Sequence, residues 1–365
     1  MKNNILLLLS LVIVITGCSL FDDDGPKDPR DYTWTIDTLY YPGALQTNMN
    51  KIWASSPEDV YVIGHSSVLS GSMWHYNGRS WISVPIIELY GGPILNTNYS
   101  LNDIYGFSKY DVWVVGRKSV RKKRSDGSYY YDRDGAFIIH YNGVEWKEIE
   151  APGMKTMYSI NGISRNNLWL GTSDGKIFSY NGIDFRLHEL PVDTPEVNRQ
   201  WIEGIVGGKD KNVFVLLGNN LTNYFNESRT HLLKYNGEWT VIDTVTYPRT
   251  DMWLSPKGTL FIGGYNLRKY TGNDWEIVDS YPKTLGSNAI FGLSENYLFS
   301  AGVKYKDDHY YGKIPYYNGK VWTEILQKEI KDVIFMDVWV NKNVVFVIGI
   351  TNSEYPSKTL VIKGE

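Results

Sequence analysis

Short apolar runs bounded by turn residues recur along almost the whole of this chain. Residues 111–116, with the sequence Asp-Val-Trp-Val-Val-Gly, are typical, because they combine β-branched and aromatic residues and end on a glycine. Such runs predict β-strands. After the N-terminus, no run of ten or more residues has the apolar spacing of three and four that an amphipathic helix requires. The pattern therefore predicts an all-β protein.

A repeating unit organises these strands, and its second half is the clearest part. A strand ends in Tyr-Asn-Gly or Tyr-Thr-Gly, and a Trp or Phe follows within a few residues. The tyrosines of the six copies are Tyr76, Tyr141, Tyr180, Tyr235, Tyr270 and Tyr317. Asn-Gly between alternating strands favours a type I′ hairpin turn, in which both central residues have positive φ. Each unit is thus expected to hold a hairpin whose outer strand begins at the Trp or Phe.

The first half of the unit is an apolar strand followed by a strand that opens with Asp, Asn or Thr, and it occurs seven times. The seven copies begin near residues 52, 104, 160, 202, 252, 290 and 338. Each unit therefore contains four short strands, as in the blades of a β-propeller. We predict a seven-bladed β-propeller of four-stranded blades; six or eight blades would follow only from a misread divergent unit.

The two ends of the chain predict how the ring closes. The seventh unit stops at Glu365, where its outer strand should begin. At the other end, Trp34 lies in an outer-strand sequence that has no blade before it. We therefore expect the N-terminal strand to complete the last blade and leave no open sheet edge at the junction.

The first residues predict export and a lipid anchor. Lys2 and an apolar stretch at residues 5–15 form a signal peptide that is too short to span a bilayer comfortably. The stretch ends in Ile-Thr-Gly and Cys18, which resembles a lipobox and is the only cysteine of the chain. We expect a signal peptide at 1–17, acylation of Cys18 with diacylglycerol and an N-acyl chain such as palmitate, a flexible acidic tether at 18–31 and the propeller at 32–365. The alternative is an ordinary secretory signal with a chance cysteine.

Three aspartates, Asp22, Asp23 and Asp24, lie just after the predicted lipidated cysteine. They resemble the export signal of surface lipoproteins in Bacteroidetes-type bacteria, which implies an outer-membrane protein whose propeller faces outward. A solvated linker without a sorting role is the other interpretation.

The repeats as a whole resemble those of bacterial propeller lipoproteins of the kelch and sialidase-like kind. Unit three, at residues 163–180, is similar to the two-component-regulator propeller repeat. The resemblance covers residues 32–365 and implies the fold. It does not imply a function, because propellers serve binding and catalysis alike.

One insertion interrupts the repeat, between the second and third strands of unit two. It contributes the candidate ligand-binding residues Arg117, Arg121, Lys122, Lys123, Arg124, Tyr129, Tyr130 and Tyr131. In a propeller such a loop lies on the same face as the links between blades, where repeat proteins usually bind partners. Cations beside aromatic rings suit an anionic ligand, such as an acidic glycan or lipopolysaccharide phosphates. A solvated hairpin tip explains the same residues without a ligand.

Motifs for catalysis, metal binding and cofactor binding are not recognisable in the sequence. The six histidines are scattered, and His75 and His140 share one repeat position, which predicts a structural role. Four carboxylates on innermost strands could line the channel or form an acid/base pair, namely Asp103, Glu203, Asp251 and Asp337. The net charge of −3 argues against nucleic acid as a partner.

The sequence thus predicts a non-enzymatic, monomeric binding or scaffolding lipoprotein attached to the membrane by its lipid. Its loop-rich face would present a surface to a glycan or protein. The alternative is a carbohydrate-active enzyme, a hydrolase or lyase, that uses the channel carboxylates. Converging carboxylates at the channel mouth would favour the enzyme.

Overall fold

A computed structural model describes residues 25–85, 97–192, 199–208, 211–220, 228–245, 249–264, 267–278, 281–282, 286–326, 328–353 and 355–365. The predicted signal peptide and Cys18 lie outside the described residues. Within the described ranges the backbone forms 30 strands and two short 3-10 helices, Pro29–Asp31 and Leu69–Gly71. No described helix is long and apolar enough to cross a membrane.

The first four blades are antiparallel sheets whose strands follow in chain order from the central axis outward. Blade 1 contains β2 (Thr47–Ser56), β3 (Asp59–Ser66), β4 (Met73–Tyr76) and β5 (Trp81–Ser83). Blade 2 contains β6 (Thr97–Ser108), β7 (Asp111–Lys123), β8 (Tyr129–Tyr141) and β9 (Trp146–Glu148). Blade 3 contains β10 (Met157–Ser164), β11 (Asn167–Thr172), β12 (Ile177–Tyr180) and β13 (Phe185–His188). Blade 4 contains β14 (Arg199–Gly207), β15 (Val213–Asn220), β16 (Ser228–Tyr235) and β17 (Trp239–Val245).

The remaining three blades include one enlarged sheet and the closing sheet. Blade 5 contains β18 (Arg249–Leu254), β19 (Leu260–Gly264), β20 (Arg268–Tyr270) and β21 (Trp275–Ile277). Blade 6 has six strands: β22 (Gly286–Ser294), β23 (Tyr297–Lys306), β24 (His309–Lys313), β25 (Pro315–Tyr317), β26 (Trp322–Glu324) and β27 (Ile330–Lys331). Blade 7 contains β28 (Val333–Val340), β29 (Val345–Thr351), β30 (Thr359–Gly364) and β1 (Trp34–Leu39). The prediction of a seven-bladed all-β propeller is confirmed.

The predicted closure of the ring is also confirmed. Strand β1 pairs antiparallel with β30 along its whole length, from Trp34 opposite Gly364 to Leu39 opposite Thr359. Tyr32, just before this strand, is buried, and its hydroxyl lies 3.0 Å from the hydroxyl of Tyr297 in blade 6. On the other side, the Trp81 indole of blade 1 donates to Asp37 of β1 at 3.2 Å, so the N-terminal segment joins the last blade to both of its neighbours.

The expected boundary between tether and propeller lies too late in the chain. The Lys27 N–H donates to the carbonyl of Lys342 at 3.0 Å, and the Tyr297 hydroxyl donates to the carbonyl of Lys27 at 3.0 Å. Residues 29–31 then form a 3-10 helix with Asp28 at its N-cap. The segment from Lys27 onward is thus part of the folded unit, because its backbone groups are satisfied by blades 6 and 7.

The Asn-Gly turns differ from the type I′ turns that the sequence suggests. In blade 1, Gly78 has a φ of 86°, but the described residues with positive φ do not include Asn77. The Asn77 side chain instead accepts hydrogen bonds from the N–H groups of Arg79 and Ser80, at 3.0 and 3.1 Å. Four residues therefore connect Tyr76 to its cross-strand partner Trp81. The asparagine stabilises the loop with its side chain, as in an Asx turn.

The two histidines at one repeat position have the predicted structural role. The Nε2 of His75 lies 2.7 Å from Asp59, and its ring stacks on Tyr61 with centroids 4.2 Å apart. His140 repeats the arrangement in blade 2, 2.8 Å from Asp111 and stacked on a tryptophan. Each histidine thus joins the second and third strands of its blade.

Candidate ligand site on the loop-rich face

The unit-two insertion is the outer part of a long hairpin formed by β7 and β8. Each of these strands has 13 residues, whereas β11 and β12 at the same place in blade 3 have six and four. The cross-strand pairs put Arg121 opposite Tyr131 and Lys123 opposite Tyr129. The hairpin therefore extends from the face that carries the links between blades.

The candidate cations of this hairpin do not converge on one point. Alternate residues of a strand project to opposite faces, so Arg121 and Lys123 share a face with Tyr129 and Tyr131. The Arg121 guanidinium lies 4.1 Å from the centroid of the Tyr129 ring. The remaining cations are held elsewhere: Lys122 pairs with Asp132 at 2.6 Å, and Arg124 lies 4.8 Å from the centroid of Tyr130. The hairpin tip is thus an exposed surface, on which Tyr129, Tyr130 and Tyr131 are all exposed.

Arg117, at the base of the hairpin, lies in a cavity. This cavity, which we call the mouth pocket, has a volume of about 600 Å³ and is lined by blades 2, 3 and 4. Among the described residues, three cations line it, Arg117, Lys155 and Arg199, together with one acidic side chain, Asp174. The remaining lining residues are Ser100, Asn102, Thr156, Tyr158 and Ser173.

The strand pattern explains why these cations meet. Lys155 lies two residues before the innermost strand of blade 3, and Arg199 is the first residue of the innermost strand of blade 4. Arg117 follows the glycine at which β7 leaves the body of blade 2. All three positions lie at the loop-rich end of their strands. Of these three cations only Arg117 could be predicted from the sequence, because it adjoins a run of cations, whereas Lys155 and Arg199 are isolated cations near the start of a strand.

The described lining residues of the mouth pocket carry more positive than negative charge. Asp174 already accepts from the Thr172 hydroxyl at 2.5 Å and pairs with Lys176 at 3.1 Å. Burial and the nearby charge of Arg117 together lower the pKa of His65. The neutral form of this histidine is therefore favoured near Arg117. Arg199 donates to the Tyr158 hydroxyl at 3.0 Å, which orients its guanidinium at the pocket wall. Arg117 and Arg199 thus present guanidinium groups to the pocket, where they can donate charge-assisted hydrogen bonds.

A second cavity, the axial cavity, lies along the propeller axis and has a volume of about 420 Å³. Tyr158 lines both cavities, so the mouth pocket adjoins the axial cavity. The four predicted carboxylates line the axial cavity, together with Lys51, which was not among the predicted residues. Lys51 precedes Ile-Trp in blade 1 as Asp103 precedes Ile-Tyr in blade 2, so the repeat itself could have located it.

The axial aspartates connect neighbouring blades. Asp103 accepts from the N–H of Ile104 in its own strand and from that of Ile160 in blade 3, at 2.9 and 2.8 Å. Asp337 links blade 7 to Ile52 of blade 1 at 2.9 Å, and Asp251 links blade 5 to Ile290 of blade 6 at 2.9 Å. Each carboxylate thus satisfies backbone groups of two blades, which is a structural use.

The electrostatics of the axial cavity centre on Lys51. Burial raises the pKa of Asp103 to about 6 and the pKa of Glu203 and Asp337 to about 7, and the positive charge of Lys51 opposes this rise. Burial alone would lower the pKa of Lys51, but Asp337, Asp251, Asp103 and Glu203 together raise it. Lys51 therefore remains charged while the carboxylates are hard to ionise. The described His, Cys, Asp and Glu side chains form no group of three or more that could hold a metal ion.

Comparisons with solved structures support the fold. The chain is similar to YCF48 bound to D1 peptide, with a TM-score of 0.58 and 11% identity over 91% of this chain and 95% of that one. It is also similar to the ulvan lyase of family PL25 bound to -[GlcA(1-4)Rha3S]-, with a TM-score of 0.53 and 11% identity over 88% of this chain and 95% of that one. The Myceliophteria thermophila Swd1 propeller gives a TM-score of 0.52 and 9% identity over 89% and 98% of the two chains.

No protein-family model matches the chain, and no curated protein sequence matches it. The structural neighbours include both binding proteins and a polysaccharide lyase. At these identities the likeness establishes the β-propeller fold, and the function has to be argued from the site.

Proposed function

We propose that this chain is an envelope-anchored binding propeller that takes an anionic group of a glycan or protein partner into the mouth pocket. The observation that carries this proposal is the convergence of Arg117, Lys155 and Arg199 from three blades on one cavity. Guanidinium and ammonium groups in a concave site favour carboxylate, sulfate or phosphate, with charge-assisted hydrogen bonds. The hairpin surface of Arg121, Lys123, Tyr129 and Tyr131 stands beside the pocket and enlarges the area available to a polymer.

The named neighbours are consistent with either kind of polymer. YCF48 was solved with a peptide and the ulvan lyase with a saccharide that contains a uronic acid and a sulfate ester. We therefore test the shared chemistry first, with heparin, polygalacturonate and poly-glutamate as three anionic probes.

The double variant Arg117→Ala/Arg199→Ala should bind the best of these probes at least tenfold more weakly than the wild type. Each lost charge-assisted hydrogen bond contributes about 1.5–3 kcal/mol, and 1.4 kcal/mol corresponds to a factor of ten. Isothermal titration calorimetry at two salt concentrations measures the change. Arg79→Ala is the matched control, because Arg79 is exposed in the Asn-Gly turn of blade 1. Equal binding by the double variant and the wild type would contradict the mouth pocket as the site.

A second function, a polysaccharide lyase, is favoured by one contact. Tyr158 and Arg199 are hydrogen-bonded within a cationic pocket, and β-elimination from a uronate needs such groups. The Tyr158 phenolate would take the proton from the carbon next to the carboxylate, a C=C bond would form as the glycosidic C–O bond breaks, and the departing oxygen would leave as a hydroxyl by taking that proton from Tyr158. Release of unsaturated product from polygalacturonate, followed by ultraviolet absorbance, decides between lyase and binding module. The hydrogen bonds of the axial aspartates do not favour the alternative in which those carboxylates catalyse.

The anchoring part of the proposal rests on the sequence. Replacing Cys18 with serine should move the protein from the membrane fraction to the soluble fraction, because acyl chains supply the apolar area that holds a lipoprotein on a bilayer. Ser19→Ala is the control and should stay with the membranes. Immunoblots of fractionated cells measure the partition, and continued membrane association of the Cys18→Ser variant would argue for a different anchor. Protease treatment of intact cells tests the proposed outward orientation at the outer membrane.

A further inference from the structure

Among the described residues, the outer edge of β8 is open in the extended part of the blade 2 hairpin. Strand β9 pairs with β8 only from Ile139 to Tyr141, and Lys155 forms an isolated bridge with Gly135. No described strand lies along residues 129–134, a stretch that we call the open edge. An unpaired row of N–H and C=O groups is a template for another strand.

Other long hairpins of this propeller have their outer edges covered. In blade 4, β17 pairs with β16 as far as Thr230. In blade 6, the additional strand β27 pairs with Tyr311 and Gly312 of β24. In blade 7, β1 covers all of β30. The contrast shows that this fold can cover an extended edge, whereas no described strand pairs with residues 129–134 of blade 2.

The hydrogen-bond pattern shows which groups face outward. The Arg124 N–H donates to the Ser128 carbonyl at 2.8 Å, so these residues form a hydrogen-bonded pair at the turn. Hydrogen-bonded and non-hydrogen-bonded pairs alternate along an antiparallel ladder. Tyr129 and Tyr131 therefore direct their backbone N–H and C=O groups away from β7, toward the open edge.

One face of this edge is positively charged and aromatic. Arg121 and Lys123 share that face with the tyrosines, which are 54% exposed at Tyr129 and 46% exposed at Tyr131. Lys123 lies 6.0 Å from the centroid of the Tyr129 ring. On the opposite face, Lys122 is neutralised by Asp132. A strand with acidic side chains on one side thus complements the charge of one face only.

The open edge leads to the mouth pocket. It ends where Gly135 bridges Lys155, and the Ala136 N–H donates to the Met154 carbonyl at 3.1 Å. Lys155 is one of the three cations of the pocket. A strand added along residues 129–134 would therefore point toward the pocket cations.

We propose that an extended acidic peptide segment of a partner protein adds as a strand to the open edge of β8, with its carboxylates over Arg121 and Lys123 and its continuation in the mouth pocket. Main-chain hydrogen bonds supply affinity in this mode of recognition, and alternate side chains supply specificity. The pocket end of this proposal rests on the proposed function, whereas the edge end is independent of it.

The probe is a ten-residue peptide of alternating Glu and Thr, which places every carboxylate on one face when extended. Its control has the same sequence with every Glu N-methylated, so it keeps the charge but lacks the N–H groups that would face Tyr129 and Tyr131 of β8. Binding to the full chain is measured by fluorescence anisotropy. The unmodified Glu-Thr peptide should bind at least tenfold more tightly than the N-methylated peptide.

Two variants of one residue separate the backbone from the side chain. Tyr131→Pro removes an outward N–H that β7 does not use, and Pro is tolerated at such edge positions. It should weaken Glu-Thr binding about fivefold to tenfold, which corresponds to the loss of about one hydrogen bond. Tyr131→Val keeps the N–H and should bind more tightly than Tyr131→Pro. Thermal melting of both variants checks that the blade remains folded.

The results of these measurements either support or overturn strand addition at the open edge. Failure of the Glu-Thr peptide to bind, equal binding of the two peptides, or equal binding by the Pro and Val variants overturns strand addition. Dimerisation of the chain that Tyr131→Pro abolishes would assign the edge to a second copy and also overturns the proposal. If Arg117→Ala/Arg199→Ala loses heparin while Tyr131→Pro leaves peptide binding intact, the proposed function stands and this inference fails. If instead Arg117→Ala/Arg199→Ala keeps heparin binding while Tyr131→Pro weakens peptide binding, strand addition is supported and the mouth pocket is not the anion site.

Discussion

Replacing Leu39 with alanine should lower the free energy of unfolding by about 3 kcal/mol, as expected for a fully buried leucine in a core that cannot collapse. Leu39 ends β1 and is 3% exposed. It packs with Phe346 and Val361 of blade 7 and with Met49 of blade 1. The side chain therefore lies where the first and last blades meet, and a cavity there weakens the junction that closes the ring. Urea denaturation followed by tryptophan fluorescence measures the change.

Ile36→Ala is the matched control for this experiment. Ile36 lies three residues earlier in the same strand and is 51% exposed, so the same kind of truncation should cost at most about 1 kcal/mol. Similar losses at the two positions would mean that β1 does not pack as described. No loss at Leu39 would mean that the closing strand contributes little to stability.

The closure of the ring could be predicted because it follows from the number of repeat halves in the sequence and does not require any distance between side chains. Six Trp or Phe turns for seven first halves leave one outer strand missing, and Trp34 supplies it from the other end. Trp34 itself is only partly buried, and the buried anchors turned out to be Tyr32 and Leu39. The sequence pattern located the strand but could not rank its side chains, since an outer strand contacts the core only at some of its positions.

The mouth pocket could not be predicted in full, because its cations are distant in the sequence. Arg117, Lys155 and Arg199 come from three blades and meet only through the ring geometry. The run of cations at residues 121–124 was the stronger sequence signal, yet strand alternation divides it between two faces. A run of charged residues along the chain is thus a poor predictor of where charged side chains meet in a repeat protein. They meet instead at equivalent positions of neighbouring blades, because these positions lie side by side.

The turn type shows a limit of a different kind. Asn-Gly is compatible with the type I′ turn, and nothing in the repeat distinguishes that turn from the loops that form, which have four residues in blades 1 and 2 and three in blade 4. The Asn142 side chain of blade 2 accepts from the N–H groups of Val144 and Glu145, both at 3.0 Å, as in blade 1. The choice depends on the register of the Trp or Phe strand, which packing of that aromatic ring determines. The tyrosine before the turn, Tyr141, lies 5.4 Å from Trp146 between ring centroids.

For the axial cavity, the sequence predicted the position of the carboxylates but not their hydrogen-bond partners. The carboxylates were visible at repeat positions, and their placement at the axis follows from the innermost strands. Their use was not visible, because the bonds of Asp103 and Asp337 run to backbone groups of the next blade. Lys51 occupies the same repeat position with opposite charge, so its role is best judged by removing that charge.

The variant Lys51→Met should lose about 2 kcal/mol of stability at pH 8 and much less at pH 5. Removing one partner of a buried set of charges costs about 3–5 kcal/mol, and the solvent reached through the cavity reduces that figure. Asp103, with a pKa raised to about 6, and Glu203 and Asp337, with pKa values raised to about 7, bind protons in the folded state that the unfolded state has already released. Folding is therefore less favourable as pH rises through this window, in the wild type as well.

Loss of Lys51 removes the positive charge that lowers the pKa of all these carboxylates, so the window should extend to higher pH and the slope should steepen. Urea denaturation at pH 5 and pH 8 measures both slopes, with Lys257→Met as a control at an exposed lysine. Adding Asp337→Asn to Lys51→Met should restore part of the stability at pH 8, since it removes the carboxylate with the largest effect on Lys51. An equal loss at both pH values would show that Lys51 acts by packing, and the axial carboxylates would then need no cation to stay in place.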